Sequence, residues 1–190
     1  MAQKRVHRRN VNEPGHAHEL TFSCYQGYKL LDSDRSRDWL KESLDTARAE
    51  FDFDLWCYVF MPEHVHLIVW PRRKVYDIAE IRKAIKEPVS RTAMKYLRRH
   101  RRDWLPKLTR QRGQREEQLF WQSGGGYDRN ITEPKTLLSM IDYIHMNPVR
   151  RGLVERAIDW PWSSAAQLED AGDSFVRLDR IPSEWLVLDP

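Results

Sequence analysis

Three groups of residues in this sequence could do chemistry. The first is His64-Val65-His66. The segment HVHLIVW (64–70) reads as a strand, and on a strand residues two apart share a face. Both imidazoles then project together, and neutral imidazole is a common ligand for divalent metal ions. Alone the pair is a weak signal, because strand histidines are more often surface or core residues than ligands. The second group is Tyr143 and Asn147. Four residues on a helix make a little over one turn, so the two side chains sit about 40° apart. The apolar stripe there is Leu137, Leu138, Met140, Ile141 and Ile144. Tyr143 falls on its flank, where a hydroxyl can reach a neighbouring surface. By itself that tyrosine reads as a half-buried aromatic, and Asn147 as a helix cap before Pro148. The third group is a basic run of Arg98, Arg99, Arg101, Arg102, Lys107, Arg110, Arg112 and Arg115, with Asp103 the only acid in it. Trp104 and Trp121 lie beside it, and Arg150 and Arg151 follow the tyrosine helix. Cations neutralise phosphate backbones and aromatics stack on unpaired bases, so these features point to nucleic acid.

Together the groups make a phosphoryl-transfer site. A metal ion on the histidines would polarise a phosphate and offset developing charge. A tyrosine could attack phosphorus and form a covalent intermediate. Phenol ordinarily titrates at about 10, so the attack needs a proton acceptor, which spacing does not identify. Tyr127 is a rival nucleophile, because it follows Gly124-Gly125-Gly126 on what reads as a flexible loop. His145 points away from Tyr143 on the helix and reads as a core or cap residue.

The elements that must position these residues follow from periodicity. Strands are expected at 19–25, 54–60 and 64–70, the last two paired as a hairpin. A fourth is expected at 118–122 (QLFWQ). Helices are expected at 35–50, at 76–101 with a kink or restart at Pro88, and from an N-cap at Thr132 to about Asn147. Strand, helix, strand, strand, helix, strand, helix suits an α+β sandwich of the ferredoxin-like kind, an antiparallel sheet with helices on one face. Residues 1–18 read as a mobile basic arm, and 150–190 as a Trp- and Pro-rich tail packed on the domain between them.

The bulk numbers narrow the class. A chain of 190 residues buries one core. Charged residues are 32% and the net charge is +4, so the surface is heavily charged and the clustering of the positive charge is what informs. Cys24 and Cys57 lie in apolar segments and read as free thiols of a cytoplasmic protein rather than a disulfide framework. No apolar run approaches the roughly 20 residues a membrane helix needs.

Longer stretches carry a family resemblance. MPEHVHLIVWP (61–71) resembles the metal-binding segment of the HUH single-tyrosine transposases, in which a large apolar residue separates two histidines. FWQSGGGYDRNI, MIDYIHMNPVRRGLV and DWPWSSA resemble one branch, the REP-associated tyrosine transposases. The likeness spans roughly residues 19–166, and YIHMNPVRRGLV is far more specific than the histidine pair. It implies a ferredoxin-like catalytic domain over 19–149 that acts on single-stranded DNA, often beside a hairpin, with Mg2+ or Mn2+. It also implies cleavage to a 5′-phosphotyrosine and a free 3′-OH, with resealing by another 3′-OH. Carried over residue by residue, His64 and His66 become metal ligands and Tyr143 the nucleophile. The insertion-sequence branch often carries Gln one turn after the tyrosine as a third ligand; Asn147 stands there with a reach one methylene shorter. From the charge pattern rather than the likeness, Arg98, Arg99, Arg101, Arg102, Arg110, Arg112, Arg150 and Arg151 are the expected DNA contacts. Two other readings compete: a module that binds structured nucleic acid without cutting it, and a metal-dependent hydrolase using water. Monomer and homodimer both stay open, as does a tyrosine helix serving a partner's histidines.

Overall fold

The computed structural model describes residues 11–187. Four strands make one antiparallel sheet: β1 (Ala17–Ser23), β2 (Phe53–Phe60), β3 (His64–Pro71) and, after a separate hairpin of β4 (Thr109–Arg112) and β5 (Arg115–Gln118), β6 (Tyr127–Ile131). Their spatial order is β2-β3-β1-β6. The main helices are α1 (Asp34–Phe51), α2 (Ile78–His100) and α3 (Pro134–His145), and a single turn, α4 (Asn147–Arg150), follows α3.

The expected α+β class and antiparallel sheet are present, but the helices divide between the faces. On one face Val65, Leu67 and Val69 of β3 pack with Leu20 and Phe22 of β1, Leu40 and Leu44 of α1, and Ile81 and Ile85 of α2. On the other, Ile68 packs with Ala17, Ile131 and the α3 residues Leu137, Ile141 and Ile144. A fully buried aliphatic side chain contributes about 1.5–3 kcal/mol, so both faces carry a substantial core. A strand buried on both faces is apolar almost throughout, which is why β3 reads HVHLIVW.

Local signals set the helix limits. Ser33 caps α1, its hydroxyl accepting from the Ser36 N–H, and Asp77 caps α2 by accepting from the Ala79 N–H. The helix α2 runs unbroken through Pro88. Proline has no N–H to give the Ala84 carbonyl. The Ser43 hydroxyl of α1 donates to the Ile85 carbonyl at 2.7 Å and passes 3.2 Å from the Ala84 oxygen, so it fastens α1 to α2 beside the proline. The cap of α3 is Glu133 rather than Thr132, with Pro134 opening the helix.

The fourth strand is not at 118–122. Gln118 ends β5, and the following residues make only an isolated bridge between Trp121 and Cys24. The strand beside β1 is β6, paired from Thr21↔Tyr127 to Ala17↔Ile131. Of β6 only Ile131 is buried, so its sequence lacks the apolar alternation of a strand.

Segments on either side of the central elements meet the sheet. Ala17 and His18 already belong to β1. The Asn130 amide donates to the Val11 carbonyl, and the Ile78 N–H to Asn12. Residues 1–10 of the expected arm lie outside those described. From the tail, Trp162 O accepts from the Phe60 N–H, and the Ser164 N–H donates to Tyr58 O. These bonds cover the free edge of β2, which would otherwise offer unpaired backbone groups.

Ser43→Ala removes the buried hydroxyl bond from α1 to the Ile85 carbonyl of α2. The expected cost is about 1–2 kcal/mol, a fall in Tm of about 2–8 °C by calorimetry. An unchanged Tm would mean that this bond does not contribute to stability.

Candidate active site

Pairing of β1 with β3 sets Thr21 opposite His66 and Ser23 opposite His64. Alternation then gives His64, His66, Glu19 and Thr21 one common face, the face that α3 covers. The two imidazoles lie 4.9 Å apart, centroid to centroid. Each has its Nδ1 engaged. The His66 Nδ1 is 2.7 Å from the Thr21 hydroxyl, which itself donates to Glu19 Oε1 at 3.3 Å. The His66 Nδ1 also lies 3.5 Å from Glu19 Oε1, a carboxylate that can only accept, which favours a proton on that nitrogen. His64 Nδ1 lies 3.2 Å from Glu63 Oε1, a carboxylate that can only accept. Both rings are therefore protonated on Nδ1 and present an Nε2 lone pair that has no hydrogen-bond partner among the described residues. Burial holds the His64 pKa below its ordinary value, with the neighbouring His66 adding to this and Glu63 opposing it. Neutral imidazoles oriented by carboxylates are the donor set that divalent metal sites use, so these residues fit such an ion.

The helix α3 brings Tyr143 to this pair. Its ring meets the His66 ring edge-on at 5.9 Å. The side chain is 45% exposed, and its hydroxyl has no hydrogen-bond partner among the described residues. The Arg150 guanidinium sits 4.9 Å from the centre of the Tyr143 ring. Arg151 donates to Glu63 Oε1 at 2.7 Å and so braces the partner of His64. The Asn147 amide nitrogen donates to the carbonyls of Tyr143 and Ile144, a capping role. That geometry leaves Oδ1, its one ligating atom, without a partner among the described residues. No group of three His, Cys, Asp or Glu side chains is gathered for a metal among the described residues.

Glu19, Thr21, His66, Tyr127, Arg129 and Tyr143 wall a cleft of about 410 Å³. Tyr127 opens β6 rather than sitting on the glycine loop, and it faces the same cleft as Tyr143. Glu19, Thr21 and Arg129 were not singled out from the sequence. The signal for the first two was the alternation in HELTFS, where the polar positions 19 and 21 flank a buried Leu20. The other predicted arginines lie away from this cleft. Arg98 and Arg99 are in the last turn of α2 and Arg101 caps it; Arg102 follows, and Arg110 and Arg112 are on β4. Several have protein partners: Arg101 pairs with Asp103, Arg110 and Arg112 share Glu117, and Arg98 bonds Gln118.

A buried polar cluster ties α3 to the sheet. His145 Nε2 lies 2.9 Å from Ser164 Oγ and 3.3 Å from Cys57 Sγ on β2. His145 is thus a core residue, as its position beside Tyr143 suggested.

The tyrosine helix thus lies over the His-x-His strand of an antiparallel sheet, and known proteins of similar sequence and fold carry one description. The chain is 28% identical over 169 residues to a Haemophilus influenzae protein provisionally named a REP-associated tyrosine transposase, covering 83% of this chain and 85% of that one. Its fold matches a solved REP-associated tyrosine transposase bound to a REP hairpin, with a TM-score of 0.68 and 20% identity, across 96% of this chain and 99% of that one. No family model matches the chain. The resemblance carried by the motifs thus extends to overall sequence and to fold.

His145 gives this region a pH dependence. Burial, opposed by Asp142, lowers its pKa from 6.5 to about 4. The fold therefore favours the neutral ring: its contribution is complete above the unfolded pKa of 6.5 and falls as pH drops toward 4. The loss reaches about 2 kcal/mol by about pH 5. Urea unfolding of the wild type and His145→Gln measures this. The variant should lose the slope between about pH 6.5 and 5, and an identical slope would contradict the assignment.

Proposed function

We propose that this chain cuts and rejoins single-stranded DNA beside a hairpin, using a divalent metal ion and a covalent 5′-phosphotyrosine on Tyr143. The observation that carries this reading is the Tyr143 ring held against His66 within one chain. The similarity to proteins named as REP-associated tyrosine transposases, one of them solved with a REP hairpin, supports the substrate class.

His64 and His66 would hold Mg2+ or Mn2+ through Nε2, and Asn147 could add Oδ1. When bound, such an ion polarises the scissile phosphate and offsets its developing charge. The Tyr143 oxygen attacks phosphorus as its proton leaves. The bond from phosphorus to the 3′ oxygen breaks, giving a free 3′-OH and a phosphate ester between Tyr143 and the 5′ end. Attack by another 3′-OH on that ester releases Tyr143 and reseals a strand. Arg150 and Arg151 would contact phosphates next to the break. Arg98, Arg99, Arg101, Arg102, Arg110 and Arg112 would neutralise phosphates farther along, more weakly where Asp103 or Glu117 already pairs with them. In this reading the catalytic unit reaches from β1 through the tyrosine helix to about residue 149, and the segment that follows braces it. Two buried free thiols, Cys24 and Cys57, suit a reducing cytoplasm. No helix among the described residues is long and apolar enough to cross a membrane.

The test is a denaturing gel of protein mixed with hairpin oligonucleotides carrying single-stranded flanks, with and without Mn2+. A metal-dependent protein–DNA adduct should form, vanish in Tyr143→Phe, persist in Tyr127→Phe and fall more than about 100-fold in His66→Ala. Binding without an adduct or cleavage would establish the non-cutting module instead, and cleavage without an adduct the hydrolase. Mixing Tyr143→Phe with His66→Ala should restore no adduct, because one chain supplies both groups. Restoration would show that the tyrosine serves a partner.

A further inference from the structure

A second depression adjoins the cleft at Tyr143, and a third adjoins the second. One, of about 180 Å³, lies between β1 and the triglycine loop, walled by Phe22, Ser23 and Gly126; it shares Thr21 and Tyr127 with the Tyr143 cleft. The next, of about 220 Å³, is walled by Lys86, Phe120 and Trp121, and shares Gln122 and Ser123 with its neighbour. Shared walls make these three clefts one path. It leads from His66 and Tyr143, past Tyr127 and over the glycine loop, to α2. At its far end Arg110 donates to Ser123 Oγ at 2.7 Å.

Charge along this path is concentrated where the loop meets α2. Arg82 and Lys86, one turn apart, both reach the glycines. Lys86 Nζ donates to Gly124 O at 3.2 Å. Arg82 lies so close to Gly125 that a Cβ there would be 2.6 Å from its Nη2. Gly126 is equally constrained: its φ is +78° and a Cβ would stand 2.2 Å from the Thr21 carbonyl oxygen. The glycines thus let the loop lie directly on the cation and on β1. Arg82 is only 7% exposed, yet it makes no hydrogen bond and no ion pair among the described residues. Burial lowers its pKa, with Asp128 and Asp77 opposing. Burial, reinforced by Arg82, also lowers Lys86 to about 8. Glu87 is the one carboxylate on the wall of the outer cleft, and it is exposed. Asp128 and Asp77 act on Arg82 only from a distance, so its guanidinium donors are open to an anion that reaches the loop.

We propose that this path is the track of the unpaired DNA strand flanking the scissile phosphate, with Arg82 and Lys86 taking a backbone phosphate at the triglycine loop. The strand leaves Tyr143, crosses the loop and runs on toward Arg110. This rests on the reading of Tyr143 as the nucleophile of a DNA-cutting site.

The experiment measures binding by fluorescence anisotropy, using Tyr143→Phe protein so that no adduct forms. The probes are one hairpin without flanks and the same hairpin with a single-stranded extension on either side. An extension on one side should tighten binding and steepen its salt dependence. Lys86→Gln should remove about 3–10-fold of that gain and lower the salt slope by about one, whereas Lys86→Arg should keep both. Gly125→Ala, whose methyl displaces Arg82, should also lose the gain. Both variants should bind the bare hairpin as before, which a merely unfolded variant would not. The track is overturned if neither extension matters or if the gain survives both substitutions. In that case an adduct with wild-type protein would leave the cutting reaction standing. No binding and no adduct would overturn both.

Discussion

Strand β3 is buried on both faces, and its two-residue period sorts everything around it. Val65, Leu67 and Val69 fill the core under α1 and α2. His64, His66 and Ile68 face the other way, where α3 closes over Ile68 and leaves the histidines at its margin. A slip of one residue in the pairing with β1 would exchange these sets and bury both imidazoles in hydrocarbon. The apolar residues of the first core therefore fix the orientation of the histidines: the core can form in only one register.

Other contacts turn that orientation into a site. The same register that seats Leu20 and Phe22 sets Thr21 beside His66, and Glu19 accepts from the Thr21 hydroxyl. This favours the Nδ1-protonated tautomer of the ring and leaves Nε2 available. On the opposite layer, α3 is anchored through His145 to Cys57 and Ser164. Ser164 belongs to the tail segment that bonds along the edge of β2, so the tail, the edge strand and the tyrosine helix are held by one cluster. Tyr143 lies on the exposed flank of a helix whose other side is immobilised, and the role proposed for it needs both conditions.

Much of this was legible in the sequence where the cause is local. The period of two placed His64 and His66 together, and the helical period put Tyr143 on a flank. The capping role of Asn147 was equally visible. What the sequence did not reveal depends on distant pairing. Glu19 and Thr21 gain meaning only from the β1–β3 register, which spans the whole of α1 and β2. The apolar QLFWQ looked like a strand, but Phe120 and Trp121 instead pack into the core from a largely irregular segment. The real edge strand, YDRNI, looked polar because it lines a cleft and buries only Ile131. The division of helices between the faces had a signal that local reading passed over: a continuous apolar run such as HVHLIVW belongs to a strand covered on both sides.

The central claim is that the fold of one chain delivers Tyr143 to a phosphate bound at His64 and His66. The most direct measurement is on wild-type protein incubated with a flanked hairpin oligonucleotide and Mn2+, then digested and mapped by mass spectrometry. The account predicts a nucleotide attached through phosphate to the peptide containing Tyr143. Attachment to the peptide containing Tyr127, or cleaved DNA with no modified peptide, would contradict it.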